Sequence, residues 1–287
     1  LKETGYLVTG SDQGIYPPMS TQLEEWGVDV YEGYKPEHLD PRPDLVIVGN
    51  ACRPSNKEVR AAIAQGIPCT SMPRALHDLY LKDRHVVVVA GTHGKTTTTA
   101  LAGWLLTSAG LKPGVLVGGV CKNFNGSFQL PESDLFVIEG DEYDSALFDK
   151  VPKFVHYNPR SVILTSVEFD HADIYDSIDD IKAAFLKLMG GIHPEGHLWA
   201  CQDYEHVLEV SQSATVGVTG YSADNNASLQ ATDLQVSESG YSFDVVQDGV
   251  TLGRLELPMF GRVNVANALA AIGVALSLGV SMEQIQE

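Results

Sequence analysis

Short apolar runs punctuate the first eighty residues. Tyr6-Leu7-Val8-Thr9, Leu45-Val46-Ile47-Val48 and Ile67-Pro68-Cys69 are too short for helices and are bounded by turn-forming residues, so they predict buried strands. Between them, segments at about 19–26 and 55–65 repeat apolar positions at helical spacing. Strands alternating with helices predict a parallel sheet. The short link Leu81-Lys82-Asp83-Arg84 breaks the pattern, and His85 to Ala90, with four consecutive valines, opens a more apolar series. The break predicts two domains, 1–84 and 85–287. The second predicts a helix near 95–109, strands at 135–139 and 161–165, a helix near 178–189 and a strand at 197–201. From 214 to 257 short alternating segments with polar turns predict an antiparallel meander, a small β layer beside the α/β sheet. The Ala-rich stretch 262–278 returns to helix, and another helix begins at Ser281.

The first strand runs into Gly10-Ser11-Asp12. An acidic residue there is where a Rossmann-like unit holds a ribose hydroxyl, which makes Ser11 and Asp12 candidates for a sugar-nucleotide substrate. The glycine loop that precedes such a strand has no counterpart, and Leu1-Lys2-Glu3-Thr4-Gly5 reads as the tail of a helix closed by Gly. The expectation is an N-terminal Rossmann-like domain lacking its first strand, its glycine loop and most of its first helix.

Composition narrows the partners. With 287 residues, 44% of them hydrophobic, the chain can build two cores. Its 19 Lys and Arg against 37 Asp and Glu leave a formal charge of -18, which repels nucleic acid and anionic membranes. An anionic ligand must then be held by local devices: a helix N-terminus, backbone amides or a bound cation. Cys52, Cys69, Cys121 and Cys201 are widely spaced, without zinc-site or Cys-x-x-Cys spacing, and read as reduced thiols of a cytoplasmic protein. Nothing approaches the roughly twenty apolar residues of a membrane span.

The strongest local signal is Ala90-Gly91-Thr92-His93-Gly94-Lys95-Thr96-Thr97, between a valine strand and an apolar-periodic helix. In such a loop the glycines let amides approach phosphates, the helix N-terminus adds partial positive charge, Lys95 reaches the terminal phosphates and Thr96 offers its hydroxyl to Mg²⁺. A generic phosphate loop has its first Gly where this chain has Val89, which argues against a motor or GTPase. Downstream, the strand 134–138 delivers Glu139-Gly140-Asp141-Glu142-Tyr143-Asp144, and the strand 161–165 leads to Glu168-Phe169-Asp170-His171-Ala172-Asp173. Ligands of parallel sheets gather at these strand ends, and crowded carboxylates repel one another without a cation or solvent between them. His171 signals a metal site that also accepts Mn²⁺, or a hydrogen-bonding neighbour of the metal.

In this order and spacing, these motifs resemble the Mur ligases. The resemblance covers nearly the whole chain. Gly91 to Thr96 matches the family's Gly-Thr-x-Gly-Lys-Thr loop, in which the first phosphate-loop glycine is absent, so Val89 fits. It implies a cytoplasmic ligase that uses ATP and Mg²⁺. Residues 1–84 would bind a UDP-sugar and 85–287 would bind ATP, and the family's C-terminal amine-binding domain would be absent. By the same resemblance Gly91, Thr92, His93, Gly94, Lys95, Thr96 and Thr97 hold the nucleotide. Lys95, Glu139 and His171 serve catalysis; Thr96 holds a first metal, and Glu139 and His171 hold a second. Gly261-Arg262-Val263-Asn264-Val265-Ala266-Asn267 matches the family's Gly-x-His-Asn-x-x-Asn segment near adenine, with Asn264 and Asn267 retained and Val263 in place of His. Ser166 stands where the family usually has Asn. Lys187, the nearest lysine to the one that some members carbamylate, reads as a surface helix residue.

Finer runs point within the family. Asp141-Glu142-Tyr143-Asp144-Ser145 with Phe148-Asp149-Lys150, His156-Tyr157-x-Pro159-Arg160, Glu168 to Ile174 and Tyr16-Pro17-Pro18-Met19-Ser20 resemble the peptide-adding branch of cell-wall recycling rather than the alanine-adding one. The implied reaction joins UDP-N-acetylmuramic acid to L-alanyl-γ-D-glutamyl-meso-diaminopimelate through an acyl phosphate. Two alternatives stand beside it: an alanine-adding ligase, and a module that binds ATP and a UDP-sugar without ligating.

Overall fold

A computed structural model describes residues 1–124, 126–170 and 175–287. The chain divides into two compact units, Leu1–Ala75 with Asp144–Lys150, and Leu76–Tyr143 with Val151–Glu287.

In the first unit a 3₁₀ turn, Lys2–Thr4, closes at Gly5, whose φ of 93° suits glycine and whose N–H bonds to the Lys2 carbonyl. The first strand, β1, is Thr9–Asp12 rather than 6–9. Tyr6 and Leu7 lie on the surface, 54% and 87% exposed, so their apolarity misplaced the strand. Helix α1 (Met19–Glu25) leads to β2 (Asp29–Glu32), which pairs with β1 in parallel. Its two apolar residues sit between carboxylates, a run that apolarity alone passes over. Strand β3 (Val46–Val48) is followed by α2 (Lys57–Ala64), whose first amides are capped by the Asn56 side chain. Strand β4 (Cys69–Ser71) pairs in parallel with β3 and starts two residues later than expected. Pro68 has no N–H to give the ladder and contributes only its carbonyl, to Val46. The two parallel pairs are separate two-stranded sheets, and Leu39, Ala62 and Ile67 form a small core. A helical turn α3 (Met72–Leu76) carries the chain to the second unit.

There the framework is one ten-stranded sheet. Strand β5 (His85–Ala90) is followed by α4 (Lys95–Ser108), β6 (Gly114–Cys121), β7 (Gly126–Gln129) and β8 (Leu135–Gly140). The next segment, Asp144–Lys150, belongs to the first unit; it carries β9 (Asp144–Ala146) and the start of β10 (Asp149–Pro152), which pair as a separate two-stranded ribbon. After it come β11 (Ser161–Leu164), α5 (Ile178–Gly190), β12 (His197–Cys201), α6 (Glu205–Ser211) and β13 (Gly217–Ser222). Strands β14 (Leu229–Ser237), β15 (Gly240–Gln247) and β16 (Val250–Leu257) precede α7 (Arg262–Ser277) and α8 (Met282–Gln286). The strand order is β16-β15-β14-β13-β12-β11-β5-β8-β6-β7.

The valine run explains why β5 is central. Val87 and Val89 face a core shared with Leu106, Ile163 and Leu269, while Val86 and Val88 face another with Phe154, Val162 and Phe185. A strand covered on both faces is apolar at every position. Helix α7 is buried from Val265 through Ala275, and a Cβ on Gly273 would lie 2.6 Å from the Trp199 ring, so close packing requires the glycine.

The 214–257 segment departs from expectation. Strand β13 pairs in parallel with β12, and β14 begins in parallel with β13 through Tyr221 and Leu229. Only β14, β15 and β16 are mutually antiparallel, and they extend the main sheet instead of forming a separate layer. The outer backbone groups of β13 need partners, and β14 supplies some of them. Helix α8 lies along β16: the Gln286 side chain donates to the Arg254 carbonyl at 2.9 Å, and Met282 packs where Gly253 leaves room. Among the described residues no helix is long and apolar enough to cross a membrane.

Candidate active site

The loop between β5 and α4 is shaped by two glycines. Gly91 has φ +136°, and a Cβ there would lie 2.2 Å from the Thr165 hydroxyl. Gly94 has φ +82°, and its Cβ would lie 2.8 Å from the Asn267 side-chain oxygen. A side chain at either position meets both strain and collision.

The segment after β11 laces the loop in place. Thr92 N–H donates to the Ser166 carbonyl at 2.9 Å and His93 N–H to the Ser166 hydroxyl at 2.9 Å. The Thr165 hydroxyl donates to the His93 carbonyl at 2.5 Å, and the Thr92 hydroxyl accepts Glu168 N–H at 2.9 Å. The amides of Lys95, Thr96 and Thr97 open α4 and have no intrahelical acceptor, which suits them to an anion.

Lys95 is buried and folded back. Its ammonium donates to the Gly91 carbonyl at 2.6 Å and the Thr92 carbonyl at 3.2 Å, and meets both Glu142 oxygens at 3.1 and 3.3 Å. Glu142 is only 2% exposed. Burial pushes its carboxyl above the usual carboxylate range, and the Lys95 charge opposes that rise. Thr96 donates to Glu139 at 3.0 Å, and the other Glu139 oxygen accepts Gly118 N–H from β6 at 2.8 Å. Lys153 pairs with Asp141 at 2.8 Å. Thr92 through Thr97, Glu139, Asp141, Tyr143 and Asp170 line one cavity of about 430 Å³.

The structure therefore brings Gly91, Thr92, His93, Gly94, Lys95, Thr96, Thr97 and Glu139 together at the ends of β5 and β8. His171 lies outside the described residues. Two oxygen donors of the expected metal set, Thr96 and Glu139, converge in a cavity also lined by Asp141 and Asp170, a donor chemistry that fits a hard cation. Among the described residues no three His, Cys, Asp or Glu side chains form a metal-holding group. Buried Asn267 abuts Gly94 and donates to Asn264, which donates to the Phe260 carbonyl, so this pair joins the start of α7 to the loop. Lys187 is exposed on α5.

Ser11 and Asp12 lie on β1 in the first unit. Ser11 donates to Glu58 at 2.9 Å, and Asp12 accepts Gly14 N–H at 3.3 Å. Glu58 also meets His38 at 3.0 Å. Sequence reasoning passed over Glu58, Gly118 and the lacing role of Ser166, and placed Glu142 in a carboxylate cluster without a partner. Gly118 had a visible signal in the paired glycines that interrupt β6; Ser166 had one in its departure from Asn.

Residues 89–275 match the Mur ligase middle domain, and residues 1–84 match the Mur ligase family catalytic domain. The chain is 43% identical to the UDP-N-acetylmuramate--L-alanyl-gamma-D-glutamyl-meso-2,6-diaminoheptandioate ligase of Escherichia coli, over 98% of its own length and 61% of that protein's. It is 34% identical to the UDP-N-acetylmuramate--L-alanine ligase of Aquifex aeolicus, again over 61% of the relative. Among solved structures, the UDP-N-acetylmuramate:L-alanyl-gamma-D-glutamyl-meso-diaminopimelate ligase from Neisseria meningitides superposes with a TM-score of 0.92 at 40% identity, covering 99% of this chain and 90% of that one. The chain thus spans about three-fifths of the curated relatives' length. Taken with the loop, the sheet order and the converging carboxylates, these matches establish that the chain belongs to the Mur ligase family.

Proposed function

We propose that this chain is the UDP-sugar- and ATP-binding part of a ligase that joins UDP-N-acetylmuramic acid to L-alanyl-γ-D-glutamyl-meso-diaminopimelate, with ATP converted to ADP and phosphate. The observation that carries it is the cavity in which the open amides of α4, Lys95 and the Thr96–Glu139 pair meet. Residues 1–84 would bind the UDP-sugar through Ser11 and Asp12, and 85–287 the nucleotide. The higher identity to the tripeptide-adding relative than to the alanine-adding one supports the peptide substrate.

A carboxylate is a poor electrophile at neutral pH, so the γ-phosphoryl group first moves to the muramyl carboxylate. The acyl phosphate then takes the peptide amine: a C–N bond forms, phosphate leaves, and the amine sheds a proton. The amides of Lys95, Thr96 and Thr97 would orient the phosphates and the Lys95 ammonium would meet charge developing during transfer. Thr96 would hold one Mg²⁺ and Glu139, with His171, a second, and the ions when bound offset phosphate charge; the imidazole would let Mn²⁺ substitute. Asn264 and Asn267 would approach the adenine. In this reading the charge of -18 weighs against nucleic acid and anionic membranes as partners, and the widely spaced cysteines fit a cytoplasmic enzyme.

The relatives carry sequence with no counterpart here, so the chain alone is expected to bind ATP and form no muropeptide. ATP, Mg²⁺, UDP-N-acetylmuramic acid and tripeptide are incubated with it, product is followed by mass, and the assay is repeated with L-alanine in place of tripeptide and with the protein's full-length form. Tripeptide product from the full-length form supports the reading. Alanine product alone replaces it with the alanine-adding activity, and catalytic product from the chain alone removes the claim of incompleteness.

A further inference from the structure

The Lys95 ammonium has three hydrogens and four oxygen atoms around it, two of them on a carboxylate that is 2% exposed. A phosphate arriving over α4 therefore finds the lysine already engaged. The Gly91 and Thr92 carbonyls belong to the loop itself and can stay bonded while the ammonium turns toward a ligand. Glu142 cannot share it on equal terms, because the carboxylate and the phosphate are both anions competing for one cation.

Glu142 is also held firmly. The Tyr175 hydroxyl donates to its carbonyl at 2.6 Å. On its two sides Asp141 is paired with Lys153, and the Tyr143 carbonyl accepts Lys153 N–H at 3.0 Å. The backbone at and beside Glu142 is thus pinned by three attachments, which limits the reach of its short side chain, while the lysine has a flexible four-carbon stem. Of the two, the lysine has the greater freedom to turn toward a ligand.

We infer that Glu142 is a positioning residue for nucleotide binding: it holds Lys95 folded against the loop and gives the ammonium up to the terminal phosphates of ATP. This rests on the reading of the loop as the ATP site. The geometry has two consequences. Glu142 opposes ATP binding through Lys95 alone, and ligands that lack the terminal phosphates are indifferent to it. A carboxylate serving only to keep the fold intact would lower affinity for every nucleotide when neutralised.

The test uses the 287-residue chain and its Glu142→Gln, Lys95→Met and double variants, with ATP and AMP displacing a fluorescent ATP analogue. The readout is the ATP-to-AMP affinity ratio, which does not depend on the fraction of each preparation that is folded. Glu142→Gln is expected to raise the ratio fivefold or more in the presence of Lys95, and to leave it unchanged in the Lys95→Met background. A ratio that is unchanged or lower in Glu142→Gln, or raised equally with and without Lys95, overturns the assignment while the ATP site stands. Failure of the unsubstituted chain to bind ATP overturns both readings together.

Discussion

The Ser166 hydroxyl accepts the His93 backbone N–H at 2.9 Å, and the Ser166 carbonyl accepts that of Thr92 at the same distance. One residue just past β11 thereby fixes two consecutive amides of the loop between β5 and α4. Replacement by Ala keeps the carbonyl bond and removes the partner of the His93 amide, a loss of about 0.5 to 1.5 kcal/mol for a typical hydrogen bond. Ser166→Ala is expected to lower the urea midpoint and to weaken ATP binding, read by calorimetry. Unchanged affinity would show that the loop keeps its shape without this bond.

Lys95→Ala removes the ammonium from the proposed phosphate site. ATP affinity is expected to fall by about 1.5 to 3 kcal/mol, the worth of a hydrogen bond to a charged group. The change also leaves Glu142 buried without its cation, so the variant is expected to unfold at lower urea than the parent. Calorimetry and urea titration read the two effects separately, and ATP binding at parental strength would remove the lysine from the site.

Glu139 bridges the Thr96 hydroxyl and the Gly118 amide. If it holds a Mg²⁺ with His171, Glu139→Gln should leave ATP binding in chelator little altered while reducing the gain in affinity that Mg²⁺ brings to the parent. An equal Mg²⁺ response in the two proteins would leave Glu139 as a brace between α4 and β6.

His85 and His197 open β5 and β12, and burial holds both imidazoles below their ordinary range, with the Arg160 charge adding to the effect at His85. Between the folded and unfolded pKa values the unfolded chain binds more protons than the folded one, so stability rises with pH through that window. These two groups are therefore expected to lower the unfolding free energy as pH falls below about 6.5, the ordinary imidazole value. Urea unfolding at several pH values checks this, with His85→Gln and His197→Gln each expected to flatten the profile.

Much of the second unit was legible because its chemistry and its packing coincide. Val86 to Val89 announced a strand buried on both faces, and Gly91 and Gly94 announced the tight turn into a helix at its end. The first unit was harder. Surface-exposed Tyr6 and Leu7 drew the strand assignment away from Thr9–Asp12, and β2 hid between carboxylates. The pairing of β13 was not legible either, because Gly217 to Ser222 alternates like a meander strand and its parallel partner β12 is fixed only by the sheet. For the site, a sequence of six residues with four carboxylates shows crowding but not which oxygen faces which cation. That Glu139 meets Thr96 and Glu142 meets Lys95 depends on how β8 lies beside β5.

An open β-edge is a surface on which foreign chains can nucleate. Strand β16 forms one margin of the ten-stranded sheet, carries Val250 at 62% exposure, and would present a row of unmet carbonyls and amides to other molecules. Helix α8 guards part of that row, since Gln286 occupies the Arg254 carbonyl and Met282 lies over Gly253. Residues 281–287 therefore cover part of this edge. Removing 281–287 should leave the cavity beside Lys95 intact, yet make concentrated solutions self-associate, visible as rising light scattering.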